Sequence, residues 1–178
     1  MYKLKPRKQQ GFTLTELLIV VIILAILAAI VVPQFASSSD DAKVSALQSN
    51  LARLRSSVDL YYQQHGAYPG ANVSSGAVCP GGGTAGTGGI NSEQALIDQL
   101  TRYTNAAGQS CTTTDATFRF GPYIKKDSLP ENPITTSAVT AISTAGALGM
   151  IGDAPAAGWK IDVVTGQFIA NDQAYDHL

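Results

Sequence analysis

The chain has 178 residues, enough for one ordinary domain with an appendage and too few for two full domains and a linker. Its 45% hydrophobic and 14% charged content excludes a disordered chain, and its net charge of −1 leaves no nucleic-acid footprint. The charge is unevenly spread: residues 1–10 carry Lys3, Lys5, Arg7 and Lys8 without an acid, and the remainder sets eight basic residues against all thirteen acids. A cationic head before an apolar run is a membrane-targeting arrangement, and an anionic remainder suits a soluble body facing away from anionic lipid.

The first predicted element is that apolar run. Leu17–Val32 holds sixteen residues without a polar side-chain atom, and extending it back to Phe12 gives 21 residues. As a helix this is about 31 Å, the thickness of a bilayer's hydrocarbon core. The preceding cations predict a cytoplasmic N-terminus with everything after Pro33 on the far side. A secretory signal peptide has a shorter apolar region and a small-residue cleavage site, for which Ala36-Ser37-Ser38 is the nearest match. A plain single-span anchor leaves Glu16 unexplained. A carboxylate in a bilayer segment costs about 2.5–3.5 kcal/mol on insertion scales and normally has a partner. None is expected within the segment. A cut between Gly11 and Phe12 would create an ammonium four residues, about 6 Å, from Glu16, and an axial offset between copies would set one chain's Glu16 beside the next chain's Phe12.

The string KQQ-Gly11-Phe12-Thr13-Leu14-Thr15-Glu16-Leu17-Leu18-Ile19-Val20 resembles the class III signal sequence of type IV pilins and type II secretion pseudopilins. The resemblance implies a basic leader, residues 1–11, removed by a prepilin peptidase. It also implies N-methylation of Phe12 and a filament-assembly role for Glu16 with Phe12. Pro33 matches the family's helix-kink position, where proline removes a backbone hydrogen bond. The family's mid-segment glycine is replaced by Ala25, which favours helix by about 0.8–1.0 kcal/mol. Pro33 is therefore the one expected breaker.

Beyond the span, Val44, Leu47, Leu51, Leu54, Val58 and Tyr61 recur at 3, 4, 3, 4, 3. This is one apolar helix face, expected to pack on the chain's own sheet rather than in a coiled coil. Gly66 stops the helix and Pro69 prevents its resumption. The exit Tyr61–Pro69 is similar to that of pseudopilins. Residues 12–36 are thus the membrane and filament-core part, 37–66 the amphipathic second half, and 67–178 the head.

Residues 70–90 are a glycine-rich loop lacking the Lys-Ser/Thr of a phosphate cradle. A short helix follows, with Asn91 as N-cap, Gln94 in the capping-box position, and Ala95, Leu96, Leu100 and Tyr103 on its buried face to about Thr104. Strands are expected at 117–124, 138–143, 158–163 and 167–170, the last two joined by Val164-Thr165-Gly166. These segments resemble the C-terminal sheet of secretion-type pseudopilins, whereas 71–117 lies outside the resemblance. The expected fold class is α+β: a long N-terminal helix on a small antiparallel sheet, with an inserted loop and short helix (67–116 before the sheet of 117–178).

Cys79 and Cys111 are an even pair beyond the membrane segment. They read as a disulfide closing a loop of about 33 residues, with a free or metal-bound pair as the alternative. His65 and His177 border loop or tail positions and read as solvated imidazoles. Asp172 and Asp176 follow the last strand, with Asp153 and Asp162 before it. The resemblance makes calcium conceivable there, and solvated acids are the competing reading. Asn72-Val73-Ser74 is a glycosylation sequon by pattern only. No signature of an enzyme is present. The expected function is a structural subunit of a pilus-like filament, foremost a secretion pseudopilin. Its expected partners are its own copies, prepilin peptidase, an inner-membrane assembly platform with its ATPase, minor pilins or pseudopilins, membrane lipid before assembly, and no nucleic acid. The alternatives are a type IV pilin, for adhesion, motility or DNA uptake, and a single-span periplasmic binding protein that never polymerises.

Overall fold

The structure, a computed structural model, describes residues 11–153 and 156–178, with the side chains of residues 32–37 outside that description. The basic leader residues Lys3, Lys5, Arg7 and Lys8 also lie outside it. The chain divides after Ala42 into two units.

Helix α1 spans Leu14–His65 and belongs to both units. Its backbone stays helical through position 33, so the proline does not end it. From Lys43 onward the heptad stripe behaves as its spacing predicts. Leu47, Leu51, Leu54, Val58 and Tyr61 are buried, and Val44 at its start is half-buried. Gly66 follows α1 at φ +68°, the left-handed cap that glycine adopts without a Cβ penalty, and its N–H donates to Tyr62 O at 2.8 Å.

Helix α2 is Glu93–Thr101. The expected cap is corrected from Asn91 to Ser92, whose hydroxyl accepts from Ala95 N at 3.1 Å. Asn91 takes φ 54° and donates its own N–H to Gly70 O at 2.8 Å. Gln94 therefore lies one place too early for a capping box and reaches forward to Asp98 instead. Ala95, Leu96 and Leu100 are buried as expected. Tyr103 instead opens a two-stranded antiparallel ladder, β1 (Tyr103–Thr104) with β2 (Ser110–Cys111). The turn between them is held by Asn105 Oδ1, which accepts from Ala107 N and Gln109 N.

The main sheet has the order β3 (Thr140–Ser143), β4 (Trp159–Asp162), β5 (Phe168–Ala170). The α+β class stands, but the sheet is mixed: β3 runs parallel to β4, and β4 antiparallel to β5. A parallel neighbour needs a long crossover, which the residues between Ser143 and Trp159 supply. The strand expected at 117–124 is not formed. Gly121 sits at φ +75° and Pro122 offers no N–H, so pairing there is limited to a bridge between Phe120 and Thr104. The sheet, α2 and the second half of α1 share one core in which Trp159, Ile161 and Phe168 meet Leu51, Leu54 and Leu96. The indole N–H of Trp159 donates to Pro130 O at 2.8 Å.

Candidate filament-assembly site and the head's polar anchors

Gly11, Phe12 and Thr13 precede the helix in non-helical backbone, and the Phe12 side chain is 82% exposed. Thr13 starts α1 through reciprocal bonds with Glu16. Its N–H donates to Glu16 Oε2 at 2.8 Å and its hydroxyl donates to the same oxygen at 2.7 Å. Glu16 N–H returns a longer bond to Thr13 Oγ1 at 3.3 Å. This is a capping box, and it corrects the expectation that Glu16 lacks a partner within its own segment. The signal was in the sequence: threonine, two residues, then glutamate before an apolar run. Both donors are neutral, so neither bond brings a counter-charge to the carboxylate. Glu16 Oε1 has no hydrogen bond among the described residues. The following Leu14–Val31 stretch has a mean hydropathy of 3.1 and none of it is buried, so this helix is long and apolar enough to cross a membrane.

In the head, Cys79 and Cys111 form the disulfide, with Cα atoms 5.6 Å apart. It ties the glycine-rich loop to β2, where Gly86 N–H also donates to Ser110 O at 2.9 Å. Sequence reasoning missed the second anchor of this loop, the fully buried Asp98. Its Oδ2 accepts from Ser74 Oγ at 2.7 Å, Thr87 N at 2.8 Å and Gly88 N at 3.2 Å, and its Oδ1 meets the Arg102 guanidinium at 3.3 Å. Ser74, the third residue of the sequon, is thereby buried and engaged.

Asp162, expected among solvated acids, is buried. Its Oδ1 accepts from Val164 N and Thr165 N, and its Oδ2 from Ser143 Oγ and Gly146 N. Burial alone would raise its pKa; the four hydrogen bonds outweigh burial and hold it below the ordinary carboxylate value. Asp172 and Asp176 are not brought together as ligands. Asp172 Oδ1 accepts from Ala174 N at 2.8 Å, and Asp176 Oδ2 accepts from Gly152 N at 2.9 Å, each fastening a loop. Asp153 pairs with Lys160 at 2.6 Å. Among the described residues no group of three or more His, Cys, Asp or Glu is placed to hold a metal.

His65 also departs from expectation, whereas His177 is exposed as expected. The His65 ring stacks on Tyr61 at 4.1 Å, and its Nε2 lies 3.0 Å from Thr104 Oγ1 and 3.1 Å from Tyr123 OH. Burial lowers its pKa, opposed in part by the Ala106 backbone.

Two comparisons bear on these features. Residues 6–32 match the family described as Prokaryotic N-terminal methylation motif, which spans the Gly11-Phe12 junction, Glu16 and the apolar run. The chain therefore carries a prepilin-type N-terminus, and the resemblance read from these residues is borne out. It is also similar to the Type II secretion system core protein G of Pseudomonas aeruginosa strain PAO1, at 44% identity over 66 residues. That stretch is 37% of this chain and 46% of the relative, so the chain spans about half the length of the curated relative it matches. No solved structure matches the chain.

Proposed function

We propose that the chain is a structural subunit of a pilus-like filament, a pseudopilin of type II secretion, rather than an enzyme. The observation that carries this is the junction itself. Gly11 and Phe12 stand exposed before the helix, and Glu16 lies one turn inside an apolar segment within the matched motif. The precursor would sit in the inner membrane with residues 1–11 in the cytoplasm and the head in the periplasm. A prepilin peptidase would cut after Gly11, Phe12 would be N-methylated, and an assembly platform with its ATPase would stack the mature chain with its own copies and with minor pseudopilins. Non-helical backbone at Gly11-Phe12 suits a protease, and a helix start at Leu14 keeps the scissile bond out of the helix.

Mass spectrometry of the mature protein tests the first step, with N-methyl-Phe12 as the expected terminus. A chain that keeps Met1, or one beginning at Ser39, overturns the reading. Glu16→Leu separates the filament from a plain anchor: filaments disappear and membrane insertion persists in the first case, whereas neither changes in the second. A type IV pilin is the second reading. It is favoured by the insertion of a loop, α2 and a disulfide between residues 67 and 116, more than a minimal head requires. Loss of secreted protein, against loss of surface pili, on deleting the gene decides between them.

A further inference from the structure

Between β2 and β3 the chain runs back along α1 as an irregular strap, residues 123–131, and meets the helix at two points. Tyr123 OH donates to Gln64 Oε1 at 2.6 Å at one end, and Asn50 Nδ2 lies 3.5 Å from Glu131 O at the other. Positions 50 and 64 are about 21 Å and close to four whole turns apart, so both contacts fall on one face of the helix. Between them, strap and helix leave a groove of about 690 Å³ lined by Arg53, Ser57, Tyr123, Ile124, Lys126 and Pro130. The Ser57 hydroxyl is committed, donating to Arg53 O at 3.1 Å. The Arg53 guanidinium and the Lys126 ammonium, by contrast, make no ion pair or hydrogen bond among the described residues. The backbone N–H groups of residues 125–128 are exposed and likewise have no partner among the described residues.

We propose that this groove binds an extended acidic peptide segment of a different protein, laid between α1 and the strap. Charge complementarity selects the occupant: the two free cations in the groove call for carboxylates. The strap's own acids do not answer them, since Asp127 lines a second cleft beside Arg102, and Glu131 belongs to the end where its carbonyl meets Asn50. Ile124, Pro130 and the Tyr123 ring are half-buried and offer apolar surface beside those cations, so the carboxylates must alternate with apolar side chains. Extended backbone supplies that alternation, one face acidic and the other apolar, and at about 3.3 Å per residue some six residues span the 21 Å between the two contacts. The unpaired N–H groups of the strap add main-chain pairing, by which an extended peptide is held while its side chains set specificity. A compact anion such as inorganic phosphate would meet the cations and leave the apolar wall and the strap backbone unused. The groove lies wholly within the head unit and is complete in a single chain, so this inference does not depend on the filament reading.

The test uses the full-length chain in non-ionic detergent and a fluorescein-labelled hexapeptide in which leucine alternates with aspartate. Fluorescence anisotropy is expected to rise and saturate as the chain is added. Replacing the aspartates by asparagine should weaken binding about tenfold, and methylating alternate backbone nitrogens of the peptide about fivefold. On the chain, Arg53→Gln and Lys126→Gln should each weaken binding about fivefold, and the two together should abolish saturation. No saturation of the parent chain below about 1 mM overturns the inference, as does equal binding of the asparagine peptide or indifference to both substitutions. Displacement by phosphatidylglycerol micelles as readily as by unlabelled peptide assigns the groove to anionic lipid, and displacement by self-association of the chain assigns it to a second copy; either result also overturns it. Arg53 and Lys126 are exposed, and thermal midpoints within a few degrees of the parent exclude misfolding as the cause. The peptide series needs no substitution in the chain and stands even if a variant fails to fold.

Discussion

The Cys79–Cys111 bridge gives the most direct quantitative prediction for the head. Cutting it by replacing both cysteines with alanine leaves the folded contacts of the loop in place. Gly86 still meets Ser110, Thr112 N–H still meets Thr84 O at 3.1 Å, and Asp98 still holds Thr87 and Gly88. The loss falls on the unfolded chain, which regains the freedom of an opened loop. The sequence separation is 32, so loop-closure entropy gives about 3.7 kcal/mol. The ring encloses α2, whose Leu96 and Leu100 pack in the core beside Tyr61, so a chain that opens here loses helix as well as loop. For a head of this size the thermal midpoint is expected to fall by about 10–18 °C. Circular dichroism of the full chain in detergent, scanned with and without reductant, measures this. Reductant should reproduce the double substitution and have no effect on it. A loss below about 1 kcal/mol refutes loop closure as the bridge's contribution and assigns loop order to Asp98 instead. Cleavage at Gly11-Phe12 should be unchanged, because it lies in the other unit.

Two further predictions concern buried titratable groups. Asp162→Ala removes the acceptor for three backbone N–H groups and the Ser143 hydroxyl, and is expected to cost about 3 kcal/mol in urea unfolding. The Asp162 pKa is depressed, so its contribution is present above the ordinary carboxylate value and is lost as pH falls through the folded one; Asp162→Ala should show a flatter acid limb, and an unchanged limb contradicts this. The folded pKa of His65 lies below its ordinary value. The unfolded chain therefore binds a proton first, and stability should fall as pH drops below about 6.5 toward the folded pKa. His65→Phe, which keeps the ring stack on Tyr61, should remove that slope between pH 7 and 5, and a slope that persists locates the titration elsewhere.

What could be read in the sequence followed from local rules. The 3-4 spacing from Val44 to Tyr61 placed the buried face of α1, Gly66 placed its end, and alternating apolar residues around Val164-Thr165-Gly166 placed β4 and β5. The Thr13–Glu16 box was legible by the same kind of rule: threonine, two residues, then glutamate at the start of an apolar helix. The competition between Asn91 and Ser92 turns on which backbone bends, and Asn91 bends because Gly70, 21 positions earlier, takes its N–H. Asp98 and Asp162 look like surface acids in a sequence. Their donors are backbone N–H groups of loops that come near only in the folded head, and no periodicity records that. The parallel setting of β3 was hidden for a related reason. Strand patterns give the faces of a strand but not its direction, and direction is set by the crossover after Ser143.

The capping box changes the energetic account of Glu16. An acid with no partner in its own chain would drive assembly by the cost of its burial. Here Thr13 already supplies two hydrogen bonds to one oxygen. The new ammonium at Phe12 would be attached to the residue next to that cap, so a mature monomer in the membrane holds an opposite charge close to its own carboxylate. On the filament reading, joining a neighbour would then exchange one ammonium for another of the same kind, with a small net change in charge pairing. Such an exchange selects register, because only one axial offset presents the neighbour's Phe12, but it supplies little free energy. That free energy must come from surfaces left uncovered in the single chain: the apolar Leu14–Val31 helix, where lipid competes with protein, and the head, where water is the competitor. Contacts made in water gain from apolar burial that contacts in lipid lack, so on the filament reading the head rather than the apolar helix would decide the affinity of a growing filament.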